Sequence, residues 1–159
     1  MERGLCVKGG NMIHNFMKLE ISAVSVNESF ARVTVAAFAA QLDPTVDEIT
    51  ELKTAVSEAV TNAIVHGYEG RGGTIEMMCG MDETGELTIV ISDGGRGIEN
   101  VELARQPFYT TSSDGERSGM GFSVMEAFMD SVEVESKPDE GTVVTMKKRI
   151  ADTSERSNG

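Results

Sequence analysis

The chain has 159 residues, 40% of them apolar and 25% charged, a balance that excludes a disordered or membrane-embedded protein and leaves length for one ordinary domain rather than two. A formal charge of -12 and a pI near 4.5 repel phosphate backbones, so no direct contact with nucleic acid is expected. No apolar run nears the roughly 20 residues that cross a bilayer, no signal-like segment opens the chain, and Cys6 and Cys79 lack metal-ligand spacing; the expectation is a cytoplasmic protein with two ordinary thiols and no membrane contact.

In chain order, residues 1–16 contain three glycines, one Cys and no period, and are expected to be a disordered extension. Met12 and Met17 both stand as alternative starts. A single domain is expected over 17–150, followed by a polar tail at 151–159. From Lys18 to Ser25, Leu19, Ile21 and Ala23 alternate with polar neighbours as in a half-buried strand. Asn27 or Ser29 then caps a helix whose apolar stripe is read as Phe30, Val33, Ala37 and Phe38. Glu28 and Arg32 lie one turn apart on its other face, where an ion pair forms readily and is usually a solvated surface feature.

Asp43-Pro44 breaks the chain, and a second helix is expected from near Thr45 or Asp47 to about Val65. Its core face is read as Val46, Ile49, Leu52, Val56, Val60 and Ala63. Gly67 ends it, and residues 70–73 turn. Segments 74–80 and 86–93 read as a hairpin of strands, with Ile75, Met77 and Cys79 facing the same way as Leu87, Ile89 and Ile91. The polar stretch from about 99 to 118 suits a lid. Gly119-Met120-Gly121 opens a short helix to about Met129, and strands follow at 131–136 and 142–150. This order predicts an α/β chain, a two-layer sandwich with a mixed, mostly antiparallel sheet covered by helices on one face.

Several residue groups in this order carry chemistry. Glu58 and Asn62 are four apart on the second helix, with His66 another turn on. A half-buried carboxylate is costly unless paired or used, and an amide oxygen is a hard ligand suited to Mg²⁺. Taken alone, such a pair equally describes the polar edge of an amphipathic helix. Asp93-Gly-Gly-Arg-Gly97 puts three glycines within five residues directly after a strand. That exceeds the need of a simple turn and lets backbone approach a flat ligand closely. The Asp93 carboxylate only accepts, which suits an exocyclic amine such as that of adenine. Gly119-Met120-Gly121 presents bare amides at a helix start, a geometry that attracts phosphate. No GxxxxGK[ST] loop occurs, and no βαβ unit encloses the glycines, so neither a Walker nor a Rossmann site is expected.

Taken in order, these segments resemble the Bergerat-fold superfamily, which includes gyrase and the histidine kinases. Glu58-Ala-Val-Thr-Asn62-Ala-Ile-Val-His66-Gly67 resembles its N box, Asp93-Gly-Gly-Arg-Gly97 its first glycine box, and Gly119-Met-Gly121 its second. Asn27-Glu-Ser-Phe-Ala-Arg-Val-Thr-Val35, Gln41-Leu-Asp-Pro44, Ala104-Arg-Gln-Pro107 and Glu116-Arg-Ser-Gly-Met-Gly-Phe122 narrow the likeness to the anti-sigma F factor family of endospore-forming bacteria, from about Asn15 to Ile150.

That resemblance implies an inhibitor of a sporulation sigma factor, sigma factor F. It also implies an ATP-dependent serine kinase whose substrate is an anti-anti-sigma factor. By the same resemblance, Glu58 is the base and Asn62 holds Mg²⁺. Nucleotide, ATP or ADP, is bound by Asn62, His66, Gly67, Asp93, Gly95, Gly97, Arg117, Gly119, Met120, Gly121 and Thr142. It further implies that Glu28 and Arg32 contact protein partners, and that the protein is a homodimer through its N-terminal strand and first helix. The alternatives are a nucleotide-gated sigma-binding module with negligible kinase activity, a related stress-response anti-sigma serine kinase, a histidine kinase core and a gyrase-like ATPase. The last two fit less well: His14 lies in no helical dimerisation segment, and no stretch suits a transducer domain.

Overall fold

Alternation of apolar and polar residues builds the sheet, and the computed structural model describes it within residues 12–107 and 121–150. β1 (Ile13–Ser22) pairs with β2 (Thr74–Asp82), and β2 pairs with β3 (Glu86–Asp93). β3 in turn pairs with β5 (Thr142–Arg149), which carries β4 (Ser131–Ser136) at the other edge. The order is β1-β2-β3-β5-β4, and each of these pairs is antiparallel. The expected α/β sandwich with helices on one face is therefore found, with antiparallel pairing throughout these strands.

The inner face is the one that alternation predicts. Met77 stands opposite Ile91 and Cys79 opposite Ile89, while Ile91 faces Val144 and Ile89 faces Met146 across β5. All six side chains are buried. Burial pushes the Cys79 thiol up to about 12, so it behaves as a small core hydrophobe rather than a nucleophile. The β2–β3 turn is held by Asp82, whose Oδ1 accepts from the Thr84 N–H at 2.8 Å, the Thr84 hydroxyl at 2.7 Å and the Glu86 N–H at 3.1 Å.

Two expectations are corrected near the N-terminus. The first strand starts at Ile13, not at 17 or 18, so residues 13–16 belong to the sheet. The reason is packing: Gly80 has no side chain, and the Ile13 side chain fills that space, within 2.7 Å of where a Cβ would stand. Residues 1–11 and 151–159 lie outside the described residues, as do 108–120. The second correction is the buried face of α1 (Val26–Ala39). Ala31, Val35 and Ala39 are fully buried, whereas Phe30 and Val33 are 52% and 56% exposed and Ala37 is exposed. Both sets repeat at helical spacing, and the smaller set lets α1 lie close against its neighbour; of the predicted stripe only Phe38 packs partly on the core.

That neighbour, α2 (Val46–Asn62), begins with a capping box in which the Thr45 hydroxyl accepts from the Glu48 N–H and the Glu48 carboxylate accepts from the Thr45 N–H. Leu52, Val56 and Val60 are fully buried as expected, while Val46 in its first turn is 81% exposed. The chain then widens into a π-turn over Ala63–Gly67, closed by the Tyr68 N–H on the Ala63 carbonyl at 2.9 Å. A short α3 (Val101–Ala104) and α4 (Gly121–Phe128) complete the helices among the described residues. None of the described helices is long and apolar enough to cross a membrane.

The face assignment of α1 can be checked by overfilling it. Ala31→Leu is expected to lower the urea unfolding free energy by about 1–3 kcal/mol, while Ala37→Leu stays within about 0.5 kcal/mol of the parent. Similar losses for both variants would contradict the buried set.

Candidate functional site

Between α2, the end of β3 and the β4–β5 turn lies a cleft of about 1010 Å³. Its walls come from small and apolar side chains that suit a flat ring: Ala59 and Ala63 from α2, Ile91 from β3, Val144 from β5 and Phe122 from α4. Of the residues singled out from sequence, Asn62, His66, Gly67, Asp93, Gly97 and Thr142 line it. Thr142 stands directly opposite Asp93 in the β3–β5 register, so both side chains project to the same side of the sheet.

Asp93 is aimed and held by backbone. Its Oδ1 accepts from the Gly95 N–H at 2.9 Å, and the Thr142 N–H also donates to it. Burial nevertheless dominates and raises its carboxyl above the usual range, with the two backbone donors pulling the other way. The glycine loop after it rests on the π-turn. A Cβ on Gly95 would overlap the Gly67 carbonyl, and a Cβ on Gly67 would stand 2.8 Å from Asp93 Oδ1. The Arg96 N–H donates to the Gly67 carbonyl at 2.9 Å, and the Arg96 carbonyl accepts from Asp139 at 2.7 Å. Gly97 and Gly141 both have left-handed φ, +71° and +82°, and each abuts backbone where a side chain would collide: Gly97 at the Lys137 carbonyl, Gly141 at the Asp93 carbonyl.

At the other end, α4 opens against α2. A Cβ on Gly121 would lie 3.0 Å from Asn62 Nδ2 and 3.3 Å from Glu58 Oε2. Glu58 and Asn62 thus converge on the first residue of α4, and Glu58 stands a turn before the cleft rather than lining it. Arg117, Gly119 and Met120 fall outside the described residues. Gly95 does not line the cleft but supports its loop. Glu28 and Arg32 are on α1, not among the lining residues; Arg32 Nη1 donates to both Glu28 oxygens, at 2.7 and 2.8 Å.

Sequence reasoning missed several supporting groups. Tyr68 pins the glycine loop: its hydroxyl accepts from the Gly94 N–H at 2.7 Å and donates to the Thr74 carbonyl at 2.5 Å. Its ring occupies the space that a side chain on Gly73 would need. Ala63, read as a core residue, is buried in the core as expected, and its edge also lines the cleft, one turn after Ala59 on the same face. The first residues of the expected lid form a short capped helix at the edge of the cleft. Asn100 Oδ1 caps α3 by accepting from the Leu103 N–H at 3.0 Å, and Asn100 and Leu103 both line the cleft. Arg105 anchors this helix, with Nε and Nη2 on Glu126 Oε1 at 2.8 and 2.5 Å and Nη2 on the Val132 carbonyl at 2.9 Å. No group of three or more His, Cys, Asp or Glu that could hold a metal occurs among the described residues. A hard cation here fits only as Mg²⁺ typically binds, through one protein oxygen with ligand phosphates and water. Asn62 meets that requirement.

Residues 22–148 match the family model described as "Histidine kinase-like ATPase domain". The chain is 58% identical over 140 residues to a Clostridium acetobutylicum protein named anti-sigma F factor, covering 88% of this chain and 97% of that one. It is 54% identical over 145 residues to the anti-sigma F factor of Priestia megaterium, covering 91% and 99%. Among solved structures it resembles the mycobacterial sensor histidine kinase MprB, with a TM-score of 0.54 at 16% identity, covering 85% of this chain and all of that one. It also resembles the catalytic domain of histidine kinase ThkA, with a TM-score of 0.51 at 17% identity over 86% and 96%.

The raised Asp93 carboxyl has a pH signature. The folded state holds this proton more tightly than the unfolded chain, whose carboxyl titrates near 3.9. Wild-type stability therefore carries a contribution that falls as pH rises from that value through the raised one, and Asp93→Asn lacks this slope. Urea midpoints from about pH 3.5 to 7 are expected to show the variant gaining on the parent as pH rises through this window. A constant difference at every pH would exclude the buried charge as the cause.

Proposed function

The chain belongs to the anti-sigma F factor family within the histidine kinase-like ATPase domains, and from that premise we propose that it inhibits sigma factor F and phosphorylates an anti-anti-sigma factor on serine, using ATP. The observation that supports this reading best is the convergence of Glu58 and Asn62 on Gly121 at the start of α4, at the opposite end of the site from the Asp93 carboxylate.

In this reading, Asp93 takes the exocyclic amine of adenine, with His66, Gly67 and Thr142 around the base. Gly97 lines the cleft, and Gly95 lets the loop rest on the Gly67 carbonyl behind it. By the family resemblance, Gly119, Met120 and Gly121 bind the phosphates and Arg117 supplies a cation for them. Asn62 would hold Mg²⁺, which when bound neutralises phosphate charge. Phosphoryl transfer needs chiefly positioning and charge neutralisation. The substrate serine oxygen forms the new bond to the γ-phosphorus, the bond to the β-phosphate oxygen breaks, and ADP leaves. The hydroxyl proton passes to the Glu58 carboxylate.

Partner recognition is assigned to α1. The Arg32–Glu28 pair, with Nη1 shared between both carboxylate oxygens, holds a guanidinium at the surface, where a protein partner can meet it. Phe16 on β1 and Val26, Phe30 and Val33 on α1 are all exposed. Their exposure supports a homodimer that uses this strand and helix, since exposed apolar side chains are common at interfaces.

Two variants separate these roles. Glu58→Gln is expected to lower phosphoserine formation from labelled ATP and the anti-anti-sigma protein by about 100-fold or more, with ADP affinity changed by less than about 3-fold. An equal fall in both would make Glu58 structural. Arg32→Ala is expected to weaken sigma factor binding by about 10-fold with unchanged ADP affinity, measured by titration calorimetry. A shift in nucleotide affinity would remove Arg32 from the partner surface.

A further inference from the structure

The last residue of β4 joins three parts of the cleft. Ser136 Oγ lies 2.7 Å from the Ile98 amide nitrogen, 2.8 Å from the Gly141 carbonyl oxygen and 2.8 Å from Thr142 Oγ1. Ile98 continues the glycine loop and, like Thr142, lines the cleft. Gly141 precedes Thr142 in the turn that abuts the Asp93 backbone.

Proton counting orders this cluster. A serine hydroxyl has one proton and two lone pairs. The Gly141 carbonyl can only accept, so the Ser136 proton goes there. The Ile98 N–H can only donate, and it fills one lone pair. The other lone pair is left for Thr142, whose hydroxyl must be the donor. Any other assignment leaves two oxygens facing each other at 2.8 Å with no proton between them.

We infer that Ser136 is a positioning residue that fixes the direction of the Thr142 hydroxyl proton and so helps the site choose between amino and oxo rings. With its proton committed to Ser136, Thr142 offers the cleft only an accepting oxygen. Asp93, directly opposite in the β3–β5 register, offers only an accepting carboxylate. Together they favour a 6-aminopurine, which brings a donor, over a 6-oxopurine, which brings a carbonyl oxygen to the same position. The role rests on the nucleotide reading of this cleft, and it adds a residue that does not itself line the cleft.

The test compares ADP with inosine diphosphate, a 6-oxopurine, by titration calorimetry. Ser136→Ala frees the Thr142 proton to donate to the oxo group. The ratio of ADP to inosine diphosphate affinity is then expected to fall by about 3- to 10-fold, the scale of one net hydrogen bond. Ser136→Thr, which keeps the hydroxyl, is expected to retain the parent ratio. On a Thr142→Val background, where no hydroxyl remains to orient, Ser136→Ala is expected to leave the ratio unchanged. Ser136→Cys, a weak donor and acceptor, supplies the same comparison if the alanine variant does not fold. Equal weakening of both nucleotides, or the same ratio shift with and without the Thr142 hydroxyl, would overturn the role while leaving nucleotide binding intact. A parent protein that binds neither nucleotide would remove the nucleotide reading and this role together.

Discussion

Two stretches of backbone touch where α2 ends, and much of the site's geometry depends on that contact. Gly95 lies against the Gly67 carbonyl with no room for a side chain, and the absent side chain of Gly67 leaves room for the Asp93 carboxylate. The Arg96 N–H closes the contact with a hydrogen bond to the same carbonyl. β3 is fixed between β2 and β5, and α2 is fixed by its buried Leu52, Val56 and Val60. The contact therefore sets the distance between a rigid helix and a rigid strand. Asn62, Asp93 and Thr142 are held on those two elements and on β5, and packed elements position functional groups more accurately than free loops do.

The π-turn over Ala63–Gly67 is what lets the helix end this way. A regular helix would carry His66 on along the stripe of Glu58 and Asn62. Widening by one residue shifts the residues after Ala63 and aims the Gly67 carbonyl at the glycine loop. Single-turn π-bulges often occur at functional sites for this reason. The Tyr68 hydroxyl, accepting from Gly94, and the Asp139 N–H, donating to Arg96, then lace the loop on both sides.

The electrostatics follow a similar logic. The chain carries a net charge of -12, yet its cleft is built for a ligand with phosphates. In the proposed reading that attraction is local, from amides at a helix start, rather than from the overall field. Asp93 is the costly member, because burial raises its carboxyl against two opposing backbone donors. Stability given up at a functional carboxylate is a common trade in binding sites. Arg105 performs the opposite service, since its bonds to Glu126 and the Val132 carbonyl tie α3 to α4 and β4.

The strands, the capped second helix, the glycine loop and the cleft residues Asn62, His66, Asp93 and Thr142 were legible in the sequence. Their signals are local: period-two alternation at Ile75–Cys79 and Leu87–Ile91, the Thr45–Glu48 box, and glycines placed directly after a strand. The buried face of α1 was not legible. Phe30 and Val33, three apart, fit a helical stripe as well as Ala31 and Val35, four apart, and only the close approach of α2 selects the smaller set. Ile13 entered the sheet because Gly80, far along the chain, leaves it a space. Tyr68, Arg105 and Ser136 read as ordinary polar residues, and their partners are 26, 21 and 38 residues away. Local sequence thus determined which elements form and marked several of the polar residues that gather at the cleft. Tertiary structure decided which faces meet and which hydrogen bonds aim those residues, because packing and long-range pairing depend on groups that only folding brings together.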